Sequence, residues 1–195
     1  MEKRVGDSMI REMIVKNRSY RRFHQNHKIE TSLLEDLIDL ARLSPCAANL
    51  QRLRFKICNE EEDNEKVFSS LSWAGYLKDW AGPENGERPS AYIIILSTEK
   101  NIEKVACDAG IACQSILLGA VESELRGCIF ASVKKEKLQI LLKIPKEYSI
   151  NYVIALGKPK ENIKLEYVEN NDIKYWRDKN GTHHVPKRKL EDIII

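Results

Sequence analysis

The chain has 195 residues, of which 43% are hydrophobic and 31% charged, with a formal net charge of +3; this balance excludes a disordered or fibrous chain and predicts one domain over residues 1–195. So small a charge over this length argues against wholesale nucleic-acid binding, and no apolar run approaches the length that crosses a bilayer. Cys46, Cys58, Cys107, Cys113 and Cys128 include no Cys-x-x-Cys pair and no histidine at zinc-finger spacing, so reduced thiols and no metal are expected.

The opening MEKRVGDSMIREMIVK is charged and amphipathic, without the apolar centre of a secretory signal, so a cytoplasmic protein is expected. Val5, Met9, Met13 and Lys16, with Ile10 and Ile14 on an adjoining stripe, predict a first helix over residues 4–16. It runs into NRSYRRFHQNHK, residues 17–28, which packs four cations, two histidines and one serine into twelve positions. A solvated basic loop, a nucleic-acid patch and an anion pocket are the three readings of that cluster. TSLLEDLIDLARLSP repeats Leu33, Leu34, Leu37, Ile38, Leu40 and Ala41 with a helical period; Ser32 with Glu35 reads as its capping box and Pro45 as its stop. LRFKIC alternates apolar and basic residues like a strand with one wet face, and AYIIILS reads as a fully buried strand. A helix near residues 61–72 and the loop WAGYLKDWAGPENGERPS lie between them, and the loop's glycines, prolines and aromatics suit a covering segment.

EKVACDAGIACQSILLGAVES is the most apolar helix, with small residues on nearly every face, so it is central in the fold or in a dimer. GCIFAS and INYVIALG are two more strands, separated by the helix KKEKLQILLKI, and the tail from Lys158 is polar and charged. Four strands alternating with about five helices predict an α+β or α/β domain with helices on both faces of a sheet.

No Gly-x-Gly-x-x-Gly or Gly-x-x-x-x-Gly-Lys-Ser/Thr occurs, so any phosphate must be held by side chains. The Ser-x-x-Lys spacings at Ser97 and Ser132 lack the partner motifs of acyl enzymes. His183 and His184 are adjacent, without ligands at metal spacing, and a surface turn after DKNG is expected there.

Four pieces remain, and in this order they resemble the nitroreductase family of FMN flavoproteins over nearly the whole chain. NRSYRRF is similar to the family's Arg-Ser-x-Arg-x-Phe motif, and LSPCAANLQRLRF to its Ala-Pro-Ser-x-x-Asn-x-Gln-Pro-Trp loop and following strand. GIACQSILLGAVESELRGCIF resembles its central helix ending in Gly-Leu-Gly, and ALGKP with the closing Lys-Arg completes the pattern. The chain departs from it at Asn17, Cys46, Arg52 and Leu53, and most strongly at Glu124, Leu125 and Arg126, which replace Gly-Leu-Gly.

The resemblance implies an α+β three-layer sandwich, a central, mostly antiparallel sheet flanked by helices, and a homodimer with FMN at the subunit interface. It implies a flavin reduced by NADH or NADPH and reoxidised by a small acceptor such as a nitroaromatic or quinone, with no catalytic side chain, because hydride transfer at flavin N5 needs alignment and exclusion of water. It assigns Arg18, Ser19, Lys187 and Arg188 to the FMN phosphate, whose dianion suits charge-assisted bonds. Arg21 is assigned to the pyrimidine edge of the flavin. Pro45, Cys46, Ala47 and Asn49 are assigned to a loop reaching the partner's flavin, and Leu125, Arg126 and Gly127 to the turn beside N5 and O4. Gly127 is the residue expected to take over the positive φ of the missing glycine. Trp73, Tyr76 and Trp80 are candidate substrate-side aromatics, with packing against the fold as the alternative. A flavin-dependent dehalogenase or dehydrogenase of the same fold, a flavin-binding protein without turnover, and a nucleic-acid binder using residues 16–28 are the competing readings.

Overall fold

The computed structural model describes residues 8–195, so the part of the first predicted helix before Ser8 lies outside the described residues. Helix α1 (Met9–Lys16) starts at Ser8, whose hydroxyl accepts from the Arg11 N–H at 3.3 Å. Helix α2 (Thr31–Leu43) turns Leu34, Leu37 and Ala41 inward, as their spacing predicts. Its capping box is not formed. The N-cap is Glu30, without a side-chain cap bond, so Ser32 already has helical neighbours on both sides and stands two residues too deep to cap.

Strands β1 (Leu53–Cys58), β2 (Ala91–Ser97), β3 (Arg126–Phe130) and β4 (Ser149–Gly157) form one antiparallel sheet in the order β1-β2-β4-β3. Every residue of β2 is buried, because it is central and helices cover both faces. On one face α2 and helix α4 (Ala106–Glu122) pack Leu34, Leu37, Ile116 and Ala120 against Ile93, Ile95, Ile154 and Leu156. On the other, helices α3 (Glu61–Phe68) and α5 (Lys135–Leu141) bring Val67 and Leu138 against Tyr92, Ile94, Val153 and Ala155. Each of the Val, Leu and Ile side chains among these, removed from water, contributes about 1.5–3 kcal/mol. This is the three-layer α+β sandwich expected from the sequence. The small residues of α4 serve close packing: a Cβ on Gly119 would collide with Leu40 and meet Leu37 Cδ2 at 2.8 Å.

Two helices are shorter than predicted. The hydroxyls of Ser69 and Ser70 donate to the Lys66 carbonyl at 3.0 and 2.9 Å, and Leu71 leaves the helix to bridge Val133, so α3 stops at Phe68. After α5, Lys143 adopts φ +52° and the Ile144 N–H closes on the Gln139 carbonyl at 3.0 Å, a helix-terminating turn. The polar tail is more ordered than its composition suggests. Strands β5 (Ile163–Tyr167), β6 (Trp176–Arg177) and β7 (His183–Lys187) make a second sheet in the order β5-β7-β6, with β5 parallel and β6 antiparallel to β7. A tight turn does follow Asp178, with Gly181 at φ +82°, but His183 is 1% exposed rather than on the surface.

Candidate flavin site

The basic stretch forms an extended segment along β3, the edge strand. Ser19 bridges Gly127 in parallel, and the Tyr20 N–H donates to the Gly127 carbonyl at 3.1 Å. The segment continues past β4: Phe23 is fully buried against Gly157, whose added Cβ would lie 2.7 Å from the Phe23 ring, and the His24 N–H donates to the Lys158 carbonyl at 2.8 Å. At its start Arg18 Nη2 donates to the Ile14 carbonyl at 2.6 Å, near the end of α1, while its buried Nε–H has no partner among the described residues. Burial lowers the pKa of this guanidinium. Ser19 is exposed beside it.

The turn between α4 and β3 supplies the facing backbone. The Leu125 N–H donates to the Ala120 carbonyl at 2.7 Å and the Glu124 N–H to the Val121 carbonyl at 3.1 Å, with Glu124 at φ +57°. The left-handed position is therefore Glu124, and the expectation that Gly127 fills it is corrected. Gly127 is a paired β3 residue opposite Leu156. It is small because a Cβ there would lie 2.5 Å from the Ala155 carbonyl oxygen and 2.6 Å from Leu117 Cδ2. Arg126 needs no unusual φ. Its Nη1 donates to the Leu125 carbonyl at 2.6 Å and its Cζ lies 5.9 Å from the Tyr20 ring centroid, so the cation sits at the negative end of α4.

Arg21 is nine-tenths buried, and Glu161, Tyr175 and Arg177, which the sequence reading did not single out, join Ser19 and His183 around it. Its guanidinium lies 4.9 Å from the Tyr175 ring centroid, donates to the Ser19 carbonyl at 3.2 Å and stands 3.5 Å from His183 Nε2. Glu161, with a side chain only 2% exposed, accepts from the backbone N–H of Arg21 and, at 3.2 Å, from that of Arg22. Its other oxygen accepts from Arg177 Nη2 at 2.9 Å. Burial, then the charges of Arg21 and Arg177, push the His183 imidazole down to about 4, so it is neutral at physiological pH. A cavity of about 140 Å³ opens beside Arg21, bounded by Ser72, Gly75, Cys128, Ser132 and Tyr175. The only signal for this surround was the isolated Glu161 and the aromatics Tyr175 and Trp176 in a charged tail, which no spacing rule joins to Arg21.

The other predicted site residues stand apart. The N–H of Ala47 donates at 2.9 Å to Asp108 in the first turn of α4, whereas Gly127 follows that helix's last turn, so the two ends of the site are roughly 20 Å apart along α4 at 1.5 Å per residue. Around Ala47 the chain is exposed and bent, with Ala48, Asn49 and Gln51 at φ +47°, +53° and +47°, conformations that cost energy in non-glycine residues and concentrate at functional loops. Pro45 and Asn49 are exposed and Cys46 half-buried. Lys187 ends β7, four residues beyond His183, and Arg188 Nη1 donates to Asn171 Oδ1 at 3.2 Å. Trp73 is partly buried against the core, 4.7 Å from Phe130 and 6.2 Å from Trp80 between ring centroids, and Trp80 lies under Arg177 at 4.6 Å. Tyr76 is half exposed and its ring is 4.9 Å from Tyr175.

The model of the nitroreductase family matches residues 14–158. The chain belongs to the nitroreductase family. Among solved structures it is similar to a nitroreductase family protein from Clostridium novyi NT, at 19% identity over 96% of this chain and 100% of that one with a TM-score of 0.66. It is also similar to an FMN-dependent nitroreductase from Clostridium difficile R20291, at 22% identity over 82% and 91% of the two chains with a TM-score of 0.62. A third is an enone reductase of gut-bacterial fatty acid saturation, at 18% identity over 85% and 95% with a TM-score of 0.66. No curated protein sequence matches the chain significantly. Glu161, Tyr175, Arg177 and His183 lie beyond the span that the family model covers. No helix among the described residues is long and apolar enough to cross a membrane.

Proposed function

We propose that this member of the nitroreductase family binds FMN and uses NADH or NADPH to reduce small acceptors such as nitroaromatics or quinones, as a cytoplasmic homodimer formed by one domain per chain. The observation that carries this reading is the Ser19–Gly127 junction, which lines up Arg18, Ser19 and Arg21 with Leu125, Arg126 and Gly127 along the β3 edge. The donor set fits FMN: Arg18 offers an unpartnered Nε–H and Ser19 an exposed hydroxyl to a phosphate dianion, and Arg21 offers a buried cation to the electron-rich edge of a ring. When bound, FMN supplies two-electron redox chemistry, and the chain binds it, orients it and excludes water.

A second chain completes the site. The exposed Pro45, Ala47 and Asn49 and the half-buried Cys46 stand too far along α4 to meet their own Arg18–Gly127 edge, so they serve the neighbour's flavin. Met9, Ile10, Ile14, Val15, Leu40, Leu43 and Leu50, all exposed on or beside α1 and α2, supply the apolar surface for pairing. Lys187 and Arg188 add their charge to the phosphate end through the tail.

The enone reductase among the structural neighbours favours a second acceptor class, activated carbon–carbon double bonds. Titration of flavin-free protein with FMN, followed by fluorescence quenching, tests the cofactor assignment. Arg18→Ala is expected to weaken binding by about 1–3 kcal/mol, the scale of a charge-assisted bond, and an unchanged dissociation constant would remove Arg18 from the phosphate site.

A further inference from the structure

The cluster around Arg21 is one negative charge short. It holds two guanidinium groups, Arg21 and Arg177, a single carboxylate, Glu161, and a neutral His183. Both Glu161 oxygens are already used, one by the backbone N–H groups of Arg21 and Arg22 and the other by Arg177. Among the described residues no carboxylate lies within 4 Å of the Arg21 guanidinium, whose contacts are a carbonyl, the Tyr175 ring and the lone pair of His183. Arg177 is also held over Trp80, so it is not free to share its carboxylate. A buried cation without a counter-charge is costly unless a ligand supplies one.

We propose that Glu161 is the positioning residue of this site: by gripping the backbone at Arg21 and Arg22 and engaging Arg177, it holds the Arg21 guanidinium against the flavin as an uncompensated charge. The inference rests on the reading of Arg21 as a flavin contact. Its consequence is redox bias: a flavin that gains negative charge on reduction completes the cluster, so the site holds reduced flavin more tightly than oxidised. Glu161, Arg177, Tyr175 and His183 all lie past the end of the family match at residue 158.

The test compares Glu161→Gln and Glu161→Ala with the wild type in two forms. In FMN-loaded protein, Glu161→Gln keeps an oxygen for the two N–H groups and removes the charge. Oxidised FMN is expected to bind within about twofold of wild type while the preference for reduced flavin rises about tenfold, a positive shift near 30 mV for a two-electron couple. Glu161→Ala also frees the backbone, and FMN affinity is expected to fall at least tenfold. Equal losses of thermal stability in both variants, with unchanged potential and affinity, would make Glu161 merely structural and overturn the proposal.

In flavin-free protein, NMR titration of the His183 ring reports the position of Arg21 without any cofactor. Glu161→Ala is expected to move that titration up from about 4 toward an ordinary imidazole, as Arg21→Met does, and a titration unmoved in Glu161→Ala but moved in Arg21→Met would overturn it. A wild type that takes up no FMN refutes the cofactor reading, whereas the titration of His183 continues to judge the grip of Glu161 on Arg21.

Discussion

Arg126 Cζ lies 5.9 Å from the centroid of the Tyr20 ring while its Nη1 donates to the Leu125 carbonyl at 2.6 Å, so one side chain ties the end of α4 to the basic segment. Replacing it with glycine removes a cation from a helix C-terminus and adds backbone freedom to a strand. Arg126→Gly is expected to lower the unfolding free energy by about 1 kcal/mol in urea titration, the sum of those two effects. At the neighbouring Glu124, held at φ +57° and exposed, glycine should act in the opposite direction and raise the urea midpoint. Equal midpoints for Glu124→Gly and wild type would show that the left-handed turn carries no strain.

Gly127 and Gly119 separate two kinds of close approach. An added methyl at Gly127 meets the Ala155 backbone oxygen at 2.5 Å, which cannot rotate away, whereas at Gly119 it meets the ends of the Leu37 and Leu40 side chains, which can. Gly127→Ala is expected to cost about 1–3 kcal/mol or to prevent folding, with the smaller loss at Gly119→Ala. Thermal melts of the two variants check the order, and a more stable Gly127→Ala would contradict the packing described for β3.

Adjacent histidines give opposite pH dependences. His183 is pushed down to about 4 by burial and by Arg21 and Arg177, so between about 6.5 and 4 the unfolded chain binds a proton that the folded one refuses. Its contribution to stability is present above the unfolded value and is lost as pH falls through that window, by up to about 1.4 kcal/mol per pH unit. His184 is raised by its hydrogen bond to Glu166, with Asp178 on the other ring nitrogen. Its contribution is complete below the unfolded value and is lost as pH rises through the folded one. Urea midpoints measured from pH 7 to pH 4.5 should fall less steeply in His183→Gln than in wild type, and parallel curves would contradict the burial of a neutral His183.

The four strands of the main sheet and the helices that cover it were legible as elements, because each carries a recognisable apolar pattern: Leu34, Leu37 and Ala41 on α2, and the unbroken AYIIILS of β2; the order β1-β2-β4-β3 is set by tertiary pairing that no local pattern encodes. What escaped has local causes. β7 is HHVPK, with a proline and two histidines, and β6 is two residues long, so neither shows a strand's alternation. The α2 cap was misplaced because Ser32 and Glu35 have the right spacing two residues too late. At the site, the motif residues Arg18, Ser19, Arg21 and Gly127 are brought together, but Glu161 and Tyr175 reach Arg21 only through tertiary contacts across 140 residues and more.

The proposed dimer would use the apolar side chains left outside on α1 and α2. Leu43, 64% exposed at the end of α2, lies just before the loop proposed to serve the neighbour's flavin. Leu43→Glu is expected to shift sedimentation toward monomer and to release FMN in parallel. A Leu43→Glu monomer that still holds FMN as tightly as the wild type would show that one chain suffices for the site.

The most direct measurement is the visible absorbance of the protein loaded with FMN and titrated without oxygen by NADH and by NADPH. The expected result is a yellow complex with about one flavin per chain whose absorbance bleaches with at least one of the two and returns when a nitroaromatic or quinone is added. A protein that stays colourless in excess FMN, or a yellow one that neither nicotinamide bleaches, would contradict the assignment of this chain as a nicotinamide-driven flavin reductase.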